Sequence, residues 1–148
     1  MFYISSINGN KLGVTDTKDN VEEFYTKEEL ADLFYNHRVY IEGFVHTGSG
    51  FHVYVKNLSL LKLEKLRNGE VCRINGVLAF KTDSFGDCFF MFLDGEIKRI
   101  RACDLLNDKY TISMDNINES NTLILVKDFI KKYPTSHLAL WLSSKYNI

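Results

Sequence analysis

The side chains with the most chemistry to offer are carboxylates, histidines and cysteines at turn-flanked positions. Asp83, Asp87, Asp94 and Glu96 sit where a strand-rich stretch is punctuated by Gly86 and Gly95. Two or three carboxylates converging in space suffice to hold a divalent cation for phosphodiester cleavage. Asp beside Gly is equally what tight turns demand for backbone reasons alone. His46 and His52 flank Gly48-Ser49-Gly50, and across a hairpin they would approach as a general acid/base pair or as part of a transition-metal site. Two ligands without a carboxylate or thiol in the same hairpin do not complete such a site. Cys72, Cys88 and Cys103 are odd in number, widely spaced and without a Cys-x-x-Cys pair, which predicts reduced thiols in a cytosolic protein. No catalytic residue, metal site or cofactor is therefore expected, and the chain reads as a binding protein, not an enzyme.

Charge is the second signal. Residues 1–50 hold 4 Lys/Arg against 8 Asp/Glu, and seven of those acids fall between Asp16 and Asp32, although the whole chain carries only −1. Such density creates a local negative field on one side of a small domain. Asp16, Asp19, Glu22 and Glu23 are the expected contact residues for a cationic protein partner. Lys98, Arg99 and Arg101 form the tightest basic cluster, and with Arg73 they offer an alternative surface for phosphates. Three cations neutralise few phosphates, so nucleic acid ranks second as a partner. The third reading, a metal-dependent hydrolase, rests on the turn carboxylates. No phosphate loop, dinucleotide fingerprint, hydrolase elbow or His-Glu-x-x-His motif is present.

These residues must be positioned by an α+β fold. Phe2–Ile7, Leu12–Asp16 and Val21–Tyr25 alternate and are separated by polar turns, predicting an acidic meander over 1–25. Thr26 and Glu29 match a capping box, and Leu30, Leu33 and Phe34 supply an apolar stripe, predicting a helix over 26–36. A β-rich middle follows over 38–114. Hairpins are expected at Gly48-Ser49-Gly50, Asn75-Gly76, the loop 83–87 and Asp94-Gly95, a helix starting at Asp94 being the alternative to the last, with a helix over 58–67 and a strand over 109–114. The tail, 121–146, reads as two helical segments divided by Pro134, the first capped by Asn121 and the second by Ser136. The expectation is a twisted antiparallel sheet or partly open barrel covered by helices, in one compact domain spanning 1–148. Its core would draw on Ile4, Val14, Leu33, Val39, Ile41, Val53, Val55, Leu63, Ile74, Leu78, Phe90, Phe92, Ile100, Ile112, Val126, Ile130, Leu138 and Trp141.

With 45% hydrophobic and 14% aromatic residues the chain has ample apolar material for a core without metal or disulfide. The N-terminus lacks a signal-peptide pattern, and no run approaches the roughly 18 apolar residues of a membrane span, so a cytoplasmic protein without membrane contact is expected.

The segment from Ile7 to Leu30, beginning Ile-Asn-Gly-Asn-Lys-Leu-Gly-Val, resembles the start of small accessory proteins encoded by phages and mobile elements of low-GC Gram-positive bacteria. Asp94-Gly95-Glu96-Ile97-Lys98-Arg99-Ile100 resembles a second segment of the same kind. The two cover about a quarter of the chain and contain no transferable catalytic residue. The resemblance implies an inhibitor of bacterial defence, such as an anti-CRISPR protein that binds an effector nuclease in the host cytoplasm.

Overall fold

Tight turns set the register of most of the sheet structure. Asn75 and Gly76, and likewise Asp94 and Gly95, have positive φ at both central positions, the geometry whose twist matches two antiparallel strands. The computed structural model describes all 148 residues and shows an α+β fold with 31% helix and 37% strand, one of its sheets curling into a half-barrel. Chain contacts gather in two compact units, Met1–Leu58 and Ser59–Ile148.

In the first unit, β1 (Phe2–Asn8), β2 (Lys11–Asp16) and β3 (Glu22–Thr26) form the expected meander. The sheet order is β3-β2-β1-β4, the short β4 (Ile41–Glu42) adding parallel to β1. A bulge between Ile4 and Ser6 shifts the β1–β2 register. Helix α1 (Lys27–Asn36) follows, with Thr26 and Glu29 closing the capping box reciprocally. The start of the β-rich stretch expected over 38–114 is broken by positive φ at Arg38 and Gly43. What remains is β4 and the ribbon β5 (Phe44–Thr47) with β6 (Gly50–Val53). Ile4, Leu12, Val14, Leu30, Ile41 and Phe44 make this unit's core.

The second unit opens with α2 (Leu58–Lys65) and continues through β7 (Val71–Ile74), β8 (Val77–Phe85), β9 (Cys88–Leu93) and β10 (Glu96–Arg101). The five-stranded order is β10-β9-β8-β7-β11. Most of the loop expected at 83–87 is strand, because β8 runs on to Phe85 after a bulge between Lys81 and Asp83. Helix α3 (Ala102–Leu106) interrupts the β-rich stretch expected over 38–114. Its end, where Lys109 N–H donates to the Asp104 carbonyl, leaves only Ile112–Ser113 of the strand predicted over 109–114, as β11. The tail forms α4 (Glu119–Lys132) and α5 (His137–Lys145). Asn118, not Asn121, caps α4, and Asn121 serves as the third helical residue of a reciprocal Asn–Asn box.

Both faces of the second sheet are covered, as the apolar run of β9 requires. Cys72, Ile74, Ala79, Phe89, Met91 and Ile100 pack on one side with Leu60 and Leu63 of α2. Phe80 and Phe92 pack on the other with Val126 and Phe129 of α4 and Ala139 and Leu142 of α5. Half of the expected core is fully buried; Leu33, Val39, Val53, Val55, Leu78, Phe90, Ile130 and Leu138 are half-buried at its edges, and Trp141 is 48% exposed. No helix is long and apolar enough to cross a membrane.

Candidate functional site

Strand alternation decides which acids of the meander act together. Glu23 lies opposite Val14 and Tyr25 opposite Leu12, so these two share the face that carries Val14 and Leu12. Glu22, one residue away, lies opposite Thr15 and turns to the other face, where Ser5 and Ser6 donate hydroxyl hydrogen bonds to its Oε2. The four expected contact acids therefore divide three to one. Asp16, Asp19 and Glu23 line a small cleft of about 100 Å³ with Phe2, Val21 and Tyr25, and Glu22 is not among them.

Each of the three has a local anchor. Asp16 accepts from the Lys18 amide at 3.0 Å and pairs with the N-terminal ammonium at 3.6 Å. Asp19 accepts from the Val21 amide at 3.1 Å, building the turn between β2 and β3. Glu23 accepts from the Tyr25 hydroxyl at 2.5 Å, and that carboxylate holds the phenol above its ordinary pKa. Tyr25 also lines a second cleft of about 420 Å³ with Glu28, Glu29, Asp32 and Leu33. Glu29 is tied to the capping box, whose Thr26 amide and hydroxyl interactions keep its carboxyl below the usual range. Asp32 accepts from the Asn36 amide and lies 3.8 Å from His37. Two adjoining clefts thus meet at Tyr25, lined by six carboxylates and by no lysine or arginine, with Phe2 and Val21 exposed beside them. Such a face can receive cations along its rim and an apolar side chain against Tyr25. No family model matches the chain, and no curated protein or solved structure matches it.

The remaining candidates are dispersed by the same alternation. Lys98 lies opposite Met91 and pairs with Asp94 at 3.6 Å and Glu96 at 3.8 Å, whereas Arg99 and Arg101 point to the opposite face of β10. Arg101 is engaged by Asp104 at 3.5 Å. Arg73 spends its guanidinium on the main-chain carbonyls of Gly76, Asp115 and Asn116 at 2.9–3.0 Å. The cluster of three consecutive-looking cations is therefore not one surface.

The turn carboxylates do not converge. Asp83 and Asp87 belong to one end of β9 and Asp94 and Glu96 to the other, separated by a six-residue strand. No group of three or more His, Cys, Asp or Glu side chains could hold a metal ion. His46 pairs with Phe51 and His52 with Val45, neighbouring rungs whose side chains face opposite ways. His46 Nε2 meets the Tyr35 hydroxyl at 2.9 Å, and His52 Nε2 meets Thr47 and Ser49 at 2.9 and 3.1 Å. All three thiols are free; Cys72 is buried, and burial pushes it up to about 12.

Sequence reasoning missed Tyr25 as the centre of the acidic face. The available signal was its two-residue spacing from Glu23, which on a strand puts both on one side.

Proposed function

We propose that this chain is a stoichiometric binding protein that inhibits a bacterial defence complex, such as a CRISPR effector nuclease, by direct contact in the host cytoplasm. The observation that supports it best is the pair of carboxylate-lined clefts sharing Tyr25, on the first unit. Effector nucleases present cationic surfaces to nucleic acid, and an acidic face with aromatic anchors competes for such a surface. Long-range attraction speeds encounter, while buried aromatic and aliphatic side chains carry most of the affinity. The likeness of residues 7–30 and 94–100 to phage and mobile-element accessory proteins supports the same reading.

The test is capture of the tagged protein from a low-GC Gram-positive host, identification of the co-purifying protein by mass spectrometry, and association kinetics with that protein. Asp19→Lys with Glu23→Lys is expected to slow association by about tenfold or more at low salt. Glu22→Lys, on the other face of β3, is the control for charge alone and is expected to have a smaller effect. Equal rates for wild type and the double variant overturn the acidic-face mechanism, and recovery of no defence protein in stoichiometric amount overturns the inhibitor reading.

A further inference from the structure

The second unit carries a separate cleft of about 600 Å³, lined by Lys65, Arg67, Asn68, Glu70, Trp141 and Lys145. Its volume falls in the range of small-molecule sites. Trp141 is the chain's single tryptophan and lies half in solvent on α5. Gly69 explains how it is held: a Cβ at that position would stand 2.7 Å from Cζ3 of the indole, so the ring rests against the main chain of the turn after α2. Lys145, one helical turn beyond Trp141, places its ammonium 5.0 Å from the indole centroid and 5.4 Å from that of Tyr146.

The electrostatics of the cleft favour an anion. Three of its six lining residues are cations and one is an acid. That acid, Glu70, is committed to the turn, accepting the Arg67 amide at 3.0 Å. A helix C-terminus ordinarily presents unpaired carbonyls that repel anions. Here the buried ammonium of Lys81 donates to the Leu63 and Leu66 carbonyls at 2.9 and 3.0 Å. The main chain of Lys81 also pairs with that of Gly69 and Glu70, in the turn that bears the cleft.

We propose that this cleft binds the base-and-phosphate unit of a nucleotide, with Arg67 and Lys145 taking the phosphate and Trp141 stacking on the base. An indole face beside a guanidinium and an ammonium supplies the two contacts that such a unit needs and that a bare anion does not use. Binding draws the Lys145 ammonium from the ring to the phosphate and leaves the indole face for the base. The source is either a free nucleotide or a single-stranded nucleic acid, and the two are separable by experiment.

Because Trp141 is alone, its emission reports the cleft directly. The protein is titrated at about 50 mM salt with an equimolar mixture of the four nucleoside monophosphates, with a mixed-sequence single-stranded oligonucleotide of about ten nucleotides, and with sodium pyrophosphate. Saturable quenching by a nucleotide probe, weakened about tenfold in Arg67→Gln and in Lys145→Gln at unchanged melting temperature, is the expected result. Comparable affinity for monophosphates and oligonucleotide identifies a free nucleotide, and markedly tighter oligonucleotide binding identifies single-stranded nucleic acid. Three results overturn the proposal: no saturable quenching by either nucleotide probe, equal affinity for pyrophosphate, or undiminished affinity in both variants.

Discussion

The Lys81 ammonium lies 2.9 Å from the main-chain carbonyl oxygen of Leu63, donating from a side chain that is only 4% exposed. It reaches Leu66 as well, at 3.0 Å, and sits 5.1 Å from the Phe89 ring centroid. A cation at a helix C-terminus satisfies orphan carbonyls and opposes the negative end of the dipole. Lys81→Met removes both donors and leaves buried acceptors unpaired, which is expected to lower stability by about 1–3 kcal/mol in urea denaturation. Burial lowers the Lys81 pKa below its ordinary 10.5, with Glu64, Asp83 and Glu70 opposing the shift. Between the folded pKa and 10.5 the unfolded chain holds a proton that the folded chain lacks. Stability from this group therefore rises with pH towards 10.5 and is lost as pH falls through the folded pKa. The stability of wild type relative to Lys81→Met is expected to grow across that window.

Cys72 has the opposite sign. Its thiol, fully buried beside Ile74 and Met91, titrates at about 12 when folded against an ordinary 9.0. Across that interval the folded chain keeps a proton that the unfolded chain has lost, so stability falls as pH rises, by about 1.4 kcal/mol per unit of pH. Cys72→Ala abolishes this component while leaving a small cavity at neutral pH. Urea denaturation at pH 8 and at pH 10 is expected to show a smaller pH loss in the variant, by about 1 kcal/mol.

Phe92 and Phe90 separate by the alternation of β9. Phe92 is fully buried, its ring 5.5 Å from that of Phe80 and 5.1 Å from that of Phe129. Phe90, half-buried, lies opposite Asp83 and Arg99, near the hairpin end where Phe85 is 83% exposed. Phe92→Ala is expected to cost about 3–5 kcal/mol, and Phe90→Ala less than half as much. Equal losses in denaturant titrations would show that the sheet end is as tightly packed as its centre.

Glu22 serves the sheet. Ser5 and Ser6 donate to its Oε2, and Thr15 donates to Ser5 at 2.7 Å. Gly13 makes room for this cluster, since a Cβ there would stand 2.2 Å from the Ser6 Oγ and 2.7 Å from the Glu22 carboxylate. Glu22→Ala leaves partly solvated hydroxyls to water and is expected to cost about 0.5–1.5 kcal/mol. Glu23→Ala, which releases only the Tyr25 hydroxyl, is expected to cost less by thermal melting.

Elements with local signals are legible in the chain before it folds. Thr26 and Glu29 fix the start of α1 because each group bonds the other's amide within one turn. Asn75-Gly76 and Asp94-Gly95 fix two hairpins because few residue pairs accept positive φ at both positions. The α+β class followed from these turns and from strand and helix periodicities. The acidic character of the first unit was also legible, since composition survives any folding.

Which charges share a surface depends instead on long-range pairing. A strand turns each successive side chain to the other face, so Glu22 left Glu23, Lys98 left Arg99, and His46 left His52, each separation hidden in a linear list. Bulges at Ile4/Ser6 and Lys81/Asp83 shift that phase at points no short pattern announces. Trp141, three residues after Leu138 on a helical segment, reads as core; in the fold it is half-exposed, its ring edge resting against the Gly69 main chain. The role of Lys81 is hidden for the same reason: its partners are carbonyls in α2 and just past its end, 18 and 15 residues away, and long-range pairing carries no local signature.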